Sequence, residues 1–347
     1  MNQNPFTLMY GIPSLSIISR NNHLSTIVNN FNSTNLIYSY LITGIRGTGK
    51  TVLLREACNL LSKNEEWIHI DINPQSDIIS SIASHLYDKL KSTKIIDGWT
   101  FSLNLPYISI TKEKEKITDP EIIVKKLITS ISKHNKKLLI SIDEVTNTPS
   151  FKQFANFYQS IIAKNNKVYL LMTGLNENIN AIINNKAMTF LSRIPKITLE
   201  PLDLPSIALE YKIIFNLENK DAIEMAKLTN GYAFAYQVLG YLFYEDENKI
   251  INDSFIEKYD SYLWNNGYNK FWNDLSKQEK AFMIALSESK LGTKDEIIKN
   301  EILNPSNYSQ YRRILIEKGL IISKNYNELS FVLPRFKEFI SFVKGFE

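Results

Sequence analysis

The sequence predicts an α/β domain with a parallel sheet, followed by a helical region and a C-terminal winged helix-turn-helix. Three observations lead to this prediction. Up to Leu204, short apolar runs alternate with amphipathic stretches; beyond Leu204 the strand pattern disappears; and a new order of helices and short strands begins at Ser276. Strands that alternate with helices are typical of a parallel sheet. We therefore predict three domains, at residues 1–202, 203–274 and 275–347.

The predicted parallel sheet has five strands, each an apolar run of the length expected for a buried strand. These runs lie at residues 36–43, 67–72, 138–142, 168–173 and 197–199, and the helices between them begin near residues 49, 77, 119, 150 and 176. The helix near residue 119 has a clear start signal, because Asp119 and Pro120 precede apolar residues at helical spacing. Apolar residues at every second position predict an inserted hairpin between the second and third strands, at Trp99, Phe101, Leu103 and Leu105.

Helices dominate the rest of the chain. The region after Pro201 shows apolar residues at helical spacing over residues 206–217, 221–228 and 233–244. Ser276 and Glu279 form a capping-box pattern at the start of the tail. The tail then reads as helices at 276–287, 293–300 and 306–318, a stop at Gly319, two short strands and a helix from Arg335. This order predicts the winged helix-turn-helix.

Composition excludes several classes of protein. The chain has 347 residues, with 40 Lys and Arg against 36 Asp and Glu, one cysteine and four histidines. A single cysteine, Cys58, excludes an internal disulfide framework and a zinc site of the cysteine-histidine type. The N-terminus lacks the pattern of a signal peptide, and the apolar runs fall short of the roughly 18 to 20 residues of a membrane span. We therefore expect a cytoplasmic protein without a membrane partner.

A phosphate-binding loop is the strongest motif in the chain. Residues 44–51, Gly-Ile-Arg-Gly-Thr-Gly-Lys-Thr, match the pattern G-x-x-x-x-G-K-[ST] and lie between a predicted strand and a predicted helix, as the motif requires. Glycines allow backbone N–H groups to face a phosphate, Lys50 would reach the β- and γ-phosphates, and Thr51 would bind Mg²⁺. The predicted nucleotide-binding residues are Gly44, Ile45, Arg46, Gly47, Thr48, Gly49, Lys50, Thr51 and Val52.

Two carboxylates follow the apolar run 138–142, in the arrangement of a Walker B strand. Asp143 would hold Mg²⁺, directly or through water, and Glu144 would activate the attacking water as a general base. In P-loop proteins of the additional-strand, catalytic-glutamate class another strand intervenes between the Walker A and Walker B strands, and residues 67–71 are the candidate here. The predicted cofactors are therefore ATP and Mg²⁺.

Two further polar residues are candidates for catalysis. Thr173 ends the fourth predicted strand, where a hydroxyl could sense the γ-phosphate or orient water, although a threonine at a strand end can also simply begin a turn. Arg193 precedes the last predicted strand. Its guanidinium could stabilise charge on a γ-phosphate, within the subunit or on a neighbour, or it could be a surface residue paired with an acid.

The chain resembles the AAA+ and STAND-type P-loop ATPases with a helical lid and a C-terminal winged helix, a group related to archaeal ATPases and origin-recognition initiators. Beyond the phosphate loop, the resemblance rests on short segments spread over most of the chain. These are Asn4-Pro5-Phe6-Thr7 with Gly11 and Pro13, Ile142-Asp143-Glu144-Val145, Thr173-Gly174-Leu175, Phe190-Leu191-Ser192-Arg193 before Leu199-Glu200-Pro201-Leu202, and Asn230-Gly231-Tyr232-Ala233-Phe234. The resemblance implies ATP hydrolysis, with Thr173 as sensor 1 and Arg193 as an arginine finger.

Three positions depart from the family pattern. Ser19 stands where relatives usually have a glycine against the adenine, and Ala233 stands where STAND relatives commonly have a proline. The usual sensor 2 arginine does not follow.

The predicted recognition helix of the tail offers side chains suited to a DNA groove, namely Tyr308, Ser309, Gln310, Arg312 and Arg313. Residues 276–347 hold 12 Lys and Arg against 9 Asp and Glu, so the basic excess is small for a DNA-binding segment. Three functions therefore stay open. The protein could be an ATPase that acts on duplex DNA, a STAND-type signalling or defence switch whose tail binds a protein partner and which assembles in a nucleotide-dependent way, or a DNA-binding regulator with a degenerate nucleotide site. A homo-oligomer is also a possible partner state.

Overall fold

The computed structural model describes residues 3–345 except 9–13, 34–36, 97–98, 105–106, 113–114, 164–166, 185, 300–302 and 326–327. The chain forms two compact units. The sheet unit comprises Arg20–Gly44 and Lys50–Leu199, and the helical unit comprises Met1–Ser19, Ile45–Gly49 and Glu200–Glu347.

The sheet unit contains eight strands and six α-helices among its described residues. In chain order these are α1 (Asn21–Asn32), β1 (Ser39–Thr43), α2 (Lys50–Ser62), β2 (Trp67–Ile72), α3 (Ile78–Leu90), β3 (Trp99–Asn104), β4 (Tyr107–Lys112), β5 (Glu115–Ile117), α4 (Pro120–Lys133), β6 (Lys137–Ile142), α5 (Pro149–Ile162), β7 (Val168–Gly174), α6 (Asn176–Ile183) and β8 (Lys196–Thr198). Short 3₁₀ segments, Lys94–Ile96 and Lys186–Arg193, precede β3 and β8.

Five of these strands form the predicted parallel sheet, in the order β2-β6-β7-β1-β8. The ladders place Ser39 of β1 opposite Leu170 of β7, and Leu138 of β6 opposite Val168 of β7. The strand between the Walker A strand β1 and the Walker B strand β6 is therefore β7. The prediction that residues 67–71 intervene is wrong, because β2 pairs with β6 from the outer side and is the edge of the sheet.

Helices cover both faces of this sheet. Apolar side chains of α1 and α2 pack with one face of the sheet, and those of α3, α4 and α5 pack with the other. Strands β7 and β1 are therefore buried along their length, and β6 is buried from Leu138 onward. Parallel strands covered on both faces read as continuous apolar runs, which is why these strands were predictable.

Side-chain caps explain the starts of α3, α4 and α5 in the sheet unit. The side chain of Asp77 accepts a hydrogen bond from the N–H of Ser80 at 2.8 Å, and Asp119 accepts from Glu121 at 2.8 Å. The helix predicted near Ser150 begins at Pro149, with Thr148 as its cap. Ser150 has a tertiary role, since its hydroxyl accepts from the N–H of Ile78 at 2.9 Å.

The predicted hairpin is a three-stranded antiparallel sheet, in the order β3-β4-β5. Phe101 lies opposite Ile110, which in turn lies opposite Ile117. Ile117 is buried among residues of α3 and α4. Leu105 lies outside the described residues.

The helical unit contains the predicted lid and tail. Its described elements are α7 (Leu204–Phe215), α8 (Asn219–Lys227), α9 (Ala233–Glu245), α10 (Asp253–Leu263), a π-helical turn (Trp264–Tyr268), α11 (Asn269–Asn273), α12 (Lys277–Glu288), α13 (Lys294–Ile298), a 3₁₀ turn (Pro305–Asn307), α14 (Tyr308–Glu317), β9 (Ile321–Asn325), β10 (Glu328–Phe331) and α15 (Phe336–Lys344). The capping box of Ser276 and Glu279 is present, and β9 and β10 are antiparallel. The order of elements after Ser276 is the order predicted for a winged helix.

The compact units differ from the predicted domains 1–202, 203–274 and 275–347. Phe6, from the N-terminal segment, stacks with Phe215 of α7 at 5.7 Å between ring centroids and packs against Gly240 of α9. Tyr268 donates to the carbonyl of Pro334 at 2.6 Å. These contacts join the N-terminal segment, the lid and the tail in one apolar core, so residues 203–274 and 275–347 are packed together.

Candidate functional site

The carboxyl end of the sheet brings Asp143 together with two threonine hydroxyls in the sheet unit. Thr51, in the first turn of α2, donates to Oδ2 of Asp143 at 2.8 Å. Thr173, near the end of β7, donates to Oδ1 of the same carboxylate. Thr173 is fully buried, whereas Asp143 is half-buried. The structure thus places three residues predicted from separate parts of the sequence at one point, because β6 and β7 are neighbours.

Glu144 follows Asp143 in a left-handed backbone conformation, with a φ of 56°. Its N–H donates to the hydroxyl oxygen of Thr173 at 2.9 Å, and the next N–H, of Val145, donates to the carbonyl of Thr173 at 2.8 Å. A non-glycine residue in this conformation costs about 1 to 2 kcal/mol, so these bonds help to hold it. The carboxylate of Glu144 is exposed, which leaves it accessible to water and substrate.

Lys50 is 6% exposed at the start of α2. Its Nζ donates to the carbonyl of Gly44, at the end of β1, at 3.1 Å. The ammonium group is therefore held at the carboxyl edge of the sheet, where the motif predicts it. Val52, one residue beyond Thr51, is 37% exposed on the first turn of α2.

The phosphate loop has the backbone that its glycines predict. The φ of Gly47 is 78° and that of Gly49 is 91°, both in the region that favours glycine. Thr48 is buried, and its hydroxyl donates to the carbonyl of Ile45 at 2.9 Å. A Cβ added at Gly49 would meet no heavy atom within 4 Å, so the backbone there is open for the close approach of a phosphate.

The loop tip has partners in the helical unit that the sequence did not predict. The phenol of Tyr232 donates to the carbonyl of Arg46 at 2.8 Å, and the N–H of Phe234 donates to the carbonyl of Gly47 at 3.0 Å. A Cβ at Gly47 would lie 2.3 Å from the phenol oxygen of Tyr232. Tyr232 lies within a family-like segment, but no spacing rule links it to a loop 186 residues earlier.

The residues present fit a nucleotide with Mg²⁺. Oxygen ligands are what Mg²⁺ prefers, and in nucleotide sites it takes one or two protein ligands and completes its shell with phosphates and water. Thr51 and Asp143 offer such oxygens side by side. Within the described ranges, no group of three or more His, Cys, Asp or Glu could hold a metal by itself. Thr51 and Asp143 therefore suit a Mg²⁺ ion whose other ligands are phosphate oxygens and water.

Arg193 is an exposed residue at the end of the 3₁₀ segment Lys186–Arg193. Leu191 anchors this segment, with 2% of its side chain exposed. The role of Arg193 as an arginine finger stays a prediction.

The predicted DNA-binding residues divide into two groups in the structure. Tyr308 is 6% exposed and packs against Phe282, with 5.4 Å between ring centroids. Its side chain therefore belongs to the core, and the prediction that it contacts DNA is wrong. The other four residues of the prediction are at least partly exposed on α14, namely Ser309, Gln310, Arg312 and Arg313.

The two arginines of α14 have partners within the tail. Arg312 donates to the hydroxyl of Ser323 on β9 at 3.5 Å, and Arg313 forms an ion pair with Glu317 at 3.8 Å.

Among the described parts of the chain, none of the helices combines the length and apolar character needed to cross a membrane.

One known family matches part of the chain. Residues 265–340 match a family described as "Domain of unknown function (DUF8462)". No curated protein is similar enough in sequence to match the chain.

Solved structures match over nearly the whole chain. The ORC2 protein of Aeropyrum pernix in its ADPNP-ADP complexes is 13% identical with a TM-score of 0.60, and the match covers 98% of each chain. The Cdc6p of Pyrobaculum aerophilum is 14% identical with a TM-score of 0.51, over 97% of this chain and 96% of the other. The chain therefore has the fold of the ORC2 protein of Aeropyrum pernix and the Cdc6p of Pyrobaculum aerophilum.

Proposed function

We propose that the protein binds ATP with Mg²⁺ and hydrolyses it to ADP and phosphate. We further propose that its tail, residues 275–347, is a winged helix that binds duplex DNA, and that nucleotide state controls domain arrangement or assembly. The observation that most supports hydrolysis is the hydrogen-bonded group of Thr51, Asp143 and Thr173, with the exposed Glu144 next to it. The ADPNP-ADP complexes of the structurally similar ORC2 protein are consistent with ATP as the nucleotide.

The proposed roles follow from the chemistry of each side chain. Thr51 and Asp143 would hold Mg²⁺, which neutralises phosphate charge when bound. Lys50 would exchange the Gly44 carbonyl for phosphate oxygens, since a charge-assisted bond to phosphate is stronger than a bond to a neutral carbonyl. Glu144 would accept the proton of the attacking water.

Two residues would act around this group. Thr173 would fix both the Asp143 carboxylate and the backbone of Glu144, which makes it a positioning residue. Arg193 would stabilise negative charge at the γ-phosphate, in its own subunit or in a neighbouring copy.

DNA binding is supported by the side chains that α14 exposes. Gln310 and Arg313 are exposed, and their side chains are of the types that bind base edges and phosphates. Arg312 lies beside β9, where it donates to Ser323. If the tail is a winged helix, these residues lie on its recognition helix, next to the β9-β10 hairpin.

A second candidate is a signalling or defence switch whose tail binds a protein partner. The ion pair of Arg313 with Glu317 favours this alternative, because an arginine that is already neutralised releases less counterion on binding DNA. Protein-docking surfaces tolerate such mixed charges more readily than phosphate-binding surfaces do.

The test is steady-state ATP hydrolysis by the wild type and by Glu144→Gln, each with and without duplex DNA at low and at moderate salt. We expect the variant to lose turnover by about 10² to 10⁴-fold while it still binds ATP. DNA should accelerate the wild type alone, and salt should weaken that response. Turnover that depends on Glu144 but ignores DNA would favour the protein-partner switch, and equal turnover in both proteins would remove Glu144 from its role.

A further inference from the structure

A cleft lies at the amino end of the parallel sheet, beside the edge strand β2. Its volume is about 580 Å³, within the roughly 300 to 1,000 Å³ of small-molecule sites. Its walls come from the end of α2, from β2, from the end of α3 and the segment after it, and from the residue before β6. Asp143 follows the opposite end of β6, and six residues of extended strand span about 20 Å. The cleft is therefore separate from the candidate nucleotide site.

Two lysines from different elements line this cleft. Lys89 lies in the last turn of α3, and Lys136 directly precedes β6. None of the described residues that line the cleft carries a carboxylate. Nζ of Lys136 donates to the carbonyl of Glu65 at 2.7 Å, and a phosphate oxygen is a stronger acceptor for an ammonium group than a neutral carbonyl. The cleft thus offers two positive charges to an anion.

The helix ends beside the cleft do not neutralise these charges. Both α2 and α3 end there, and unpaired carbonyls at a helix C-terminus attract cations. However, the carbonyl of Leu90 accepts the N–H and the hydroxyl of Thr93, at 2.8 and 2.7 Å. The carbonyl of Leu61 accepts the N–H of Asn64 at 3.1 Å. Because these carbonyls have partners, the exposed ammonium group of Lys89 is available to a ligand.

His69 adds a polar group to the cleft, and its neighbours determine which ring nitrogen a ligand can use. The hydroxyl of Ser141 on β6 lies 2.6 Å from Oδ1 of Asp71 and 2.8 Å from Nε2 of His69. A carboxylate can only accept, so Ser141 donates to Asp71 and accepts the Nε2–H of His69. Nδ1 is therefore the nitrogen left for a ligand.

The charge on His69 would respond to an anion in the cleft. Burial lowers the pKa of His69, the carboxylate of Asp71 raises it, and the ammonium of Lys89 lowers it. A bound anion would oppose the effect of Lys89 and favour the imidazolium, whose Nδ1–H can donate to it. The imidazole of His69 thus reports directly on occupancy of the cleft.

The remaining wall of the cleft is largely apolar. Leu90 is 1% exposed, and Ile68 and Ile95 are partly buried against the same core. Small-molecule sites typically combine such apolar walls with a few polar groups that fix the orientation of the ligand. The composition of the cleft therefore suits a ligand with an anionic head and an apolar body.

We propose that this cleft binds a small organic phosphate with an apolar body. Lys89 and Lys136 would bind the phosphate group, and the side chains of Ile68, Leu90 and Ile95 would contact the body of the ligand. This site goes beyond the proposed function and does not depend on ATP binding.

The experiment titrates phenyl phosphate into the full-length protein and follows the imidazole resonances of its four ¹⁵N-labelled histidines. We expect a saturable shift at His69, and none at His23 on α1, which does not line the cleft. Lys89→Gln and Lys136→Gln should each weaken binding by about tenfold, as expected for the loss of one charged hydrogen bond. Lys133→Gln, at an exposed position at the end of α4, is the matched control and should bind like the wild type.

Two further titrations identify the site and the ligand class. Lys50→Ala should show the same shift at His69 as the wild type, because the phosphate loop takes no part in this binding. Inorganic phosphate should bind about tenfold more weakly than phenyl phosphate, or worse, because it buries no apolar surface.

Several results would overturn the proposal. An unchanged His69 resonance would show that the cleft binds no such ligand, and a response lost in Lys50→Ala would assign the binding to the phosphate loop. Equal affinities in Lys89→Gln, Lys136→Gln and Lys133→Gln would show that the two lysines of the cleft form no site. Equal affinities for phenyl phosphate and inorganic phosphate would refute the ligand class.

Discussion

Thr173 donates its hydroxyl proton to the carboxylate of Asp143, and the same hydroxyl oxygen accepts the N–H of Glu144 at 2.9 Å. One side chain therefore orients two neighbouring residues with different proposed roles. This geometry is possible because β7 lies beside β6 in the sheet, which brings the end of one strand against the end of the other.

Replacement of Thr173 should separate positioning from binding. Thr173→Val keeps the shape of the buried side chain but leaves the N–H of Glu144 without its acceptor, so we expect the protein to lose about 1 to 3 kcal/mol of stability. The kcat for ATP hydrolysis should fall while nucleotide affinity changes little. Thr173→Ser, which retains the hydroxyl, is the control and should stay close to the wild type in kcat. A kcat for Thr173→Val equal to that of Thr173→Ser would contradict the positioning role.

The sequence predicted those parts of the fold that depend on local signals. Asp77 and Asp119 cap helices where expected, and Ser276 forms its capping box with Glu279. Helix α1 was not predicted, because it has no capping signal at its start. Its N-cap residue, Arg20, makes no side-chain capping bond. Strand β5, with three residues, is too short for its alternation to be recognised.

The features that the sequence predicted wrongly depend on contacts between residues that are distant in the chain. The position of β2 at the sheet edge follows from pairing, which no single strand reveals. Tyr308 has the residue type and helix position of a groove contact, yet its ring packs on Phe282. The residue types of Lys50, Thr51 and Asp143 were predictable because local motifs fix them. The bond from Tyr232 to Arg46 spans 186 residues and required the structure.

Removal of the Lys50 ammonium should weaken nucleotide binding. We expect Lys50→Ala to bind ATP about 10 to 100-fold more weakly, as the loss of a charged hydrogen bond worth about 1.5 to 3 kcal/mol implies. Titration with a fluorescent ATP analogue measures this change. Lys63→Ala removes the same charge from an exposed position just after α2 and should bind like the wild type. Equal affinities in Lys50→Ala and Lys63→Ala would contradict the assignment of the phosphate loop.

The arginines of α14 should contribute to the salt dependence of DNA binding. Each phosphate contact contributes about one unit to the slope of log affinity against log salt, so Arg312→Ala with Arg313→Ala should lower that slope by about two. Fluorescence anisotropy of a labelled duplex over a range of salt measures the slope. The control, Lys277→Ala with Lys337→Ala, removes two exposed lysines of the tail that lie outside α14. An equal decrease of this slope in both double variants would indicate that binding depends on overall charge. In that case α14 would not be the DNA-binding surface.

Glu279 forms a charged contact that makes the stability of the tail depend on pH. Its Oε1 lies 2.6 Å from Nζ of Lys318, and its Oε2 accepts the N–H of Ser276 at 2.7 Å. Burial alone would raise the pKa of Glu279, but the hydrogen bonds from Lys318 and Ser276 outweigh burial and lower this pKa.

The lowered pKa of Glu279 gives the sign of the pH effect. A carboxyl whose pKa is lower in the folded state stabilises the fold above its unfolded pKa of about 4.3, and this contribution is lost as pH falls through the folded pKa. Glu279→Gln should therefore lower the free energy of unfolding at neutral pH by about 1 to 2 kcal/mol, and the difference from the wild type should shrink below the ordinary glutamate pKa of about 4.3. Urea unfolding across this pH range measures the difference, with the exposed Glu257→Gln on α10 as the control. A difference that stays constant from neutral to acidic pH would show that the charge of Glu279 does not contribute and that only its side-chain packing does.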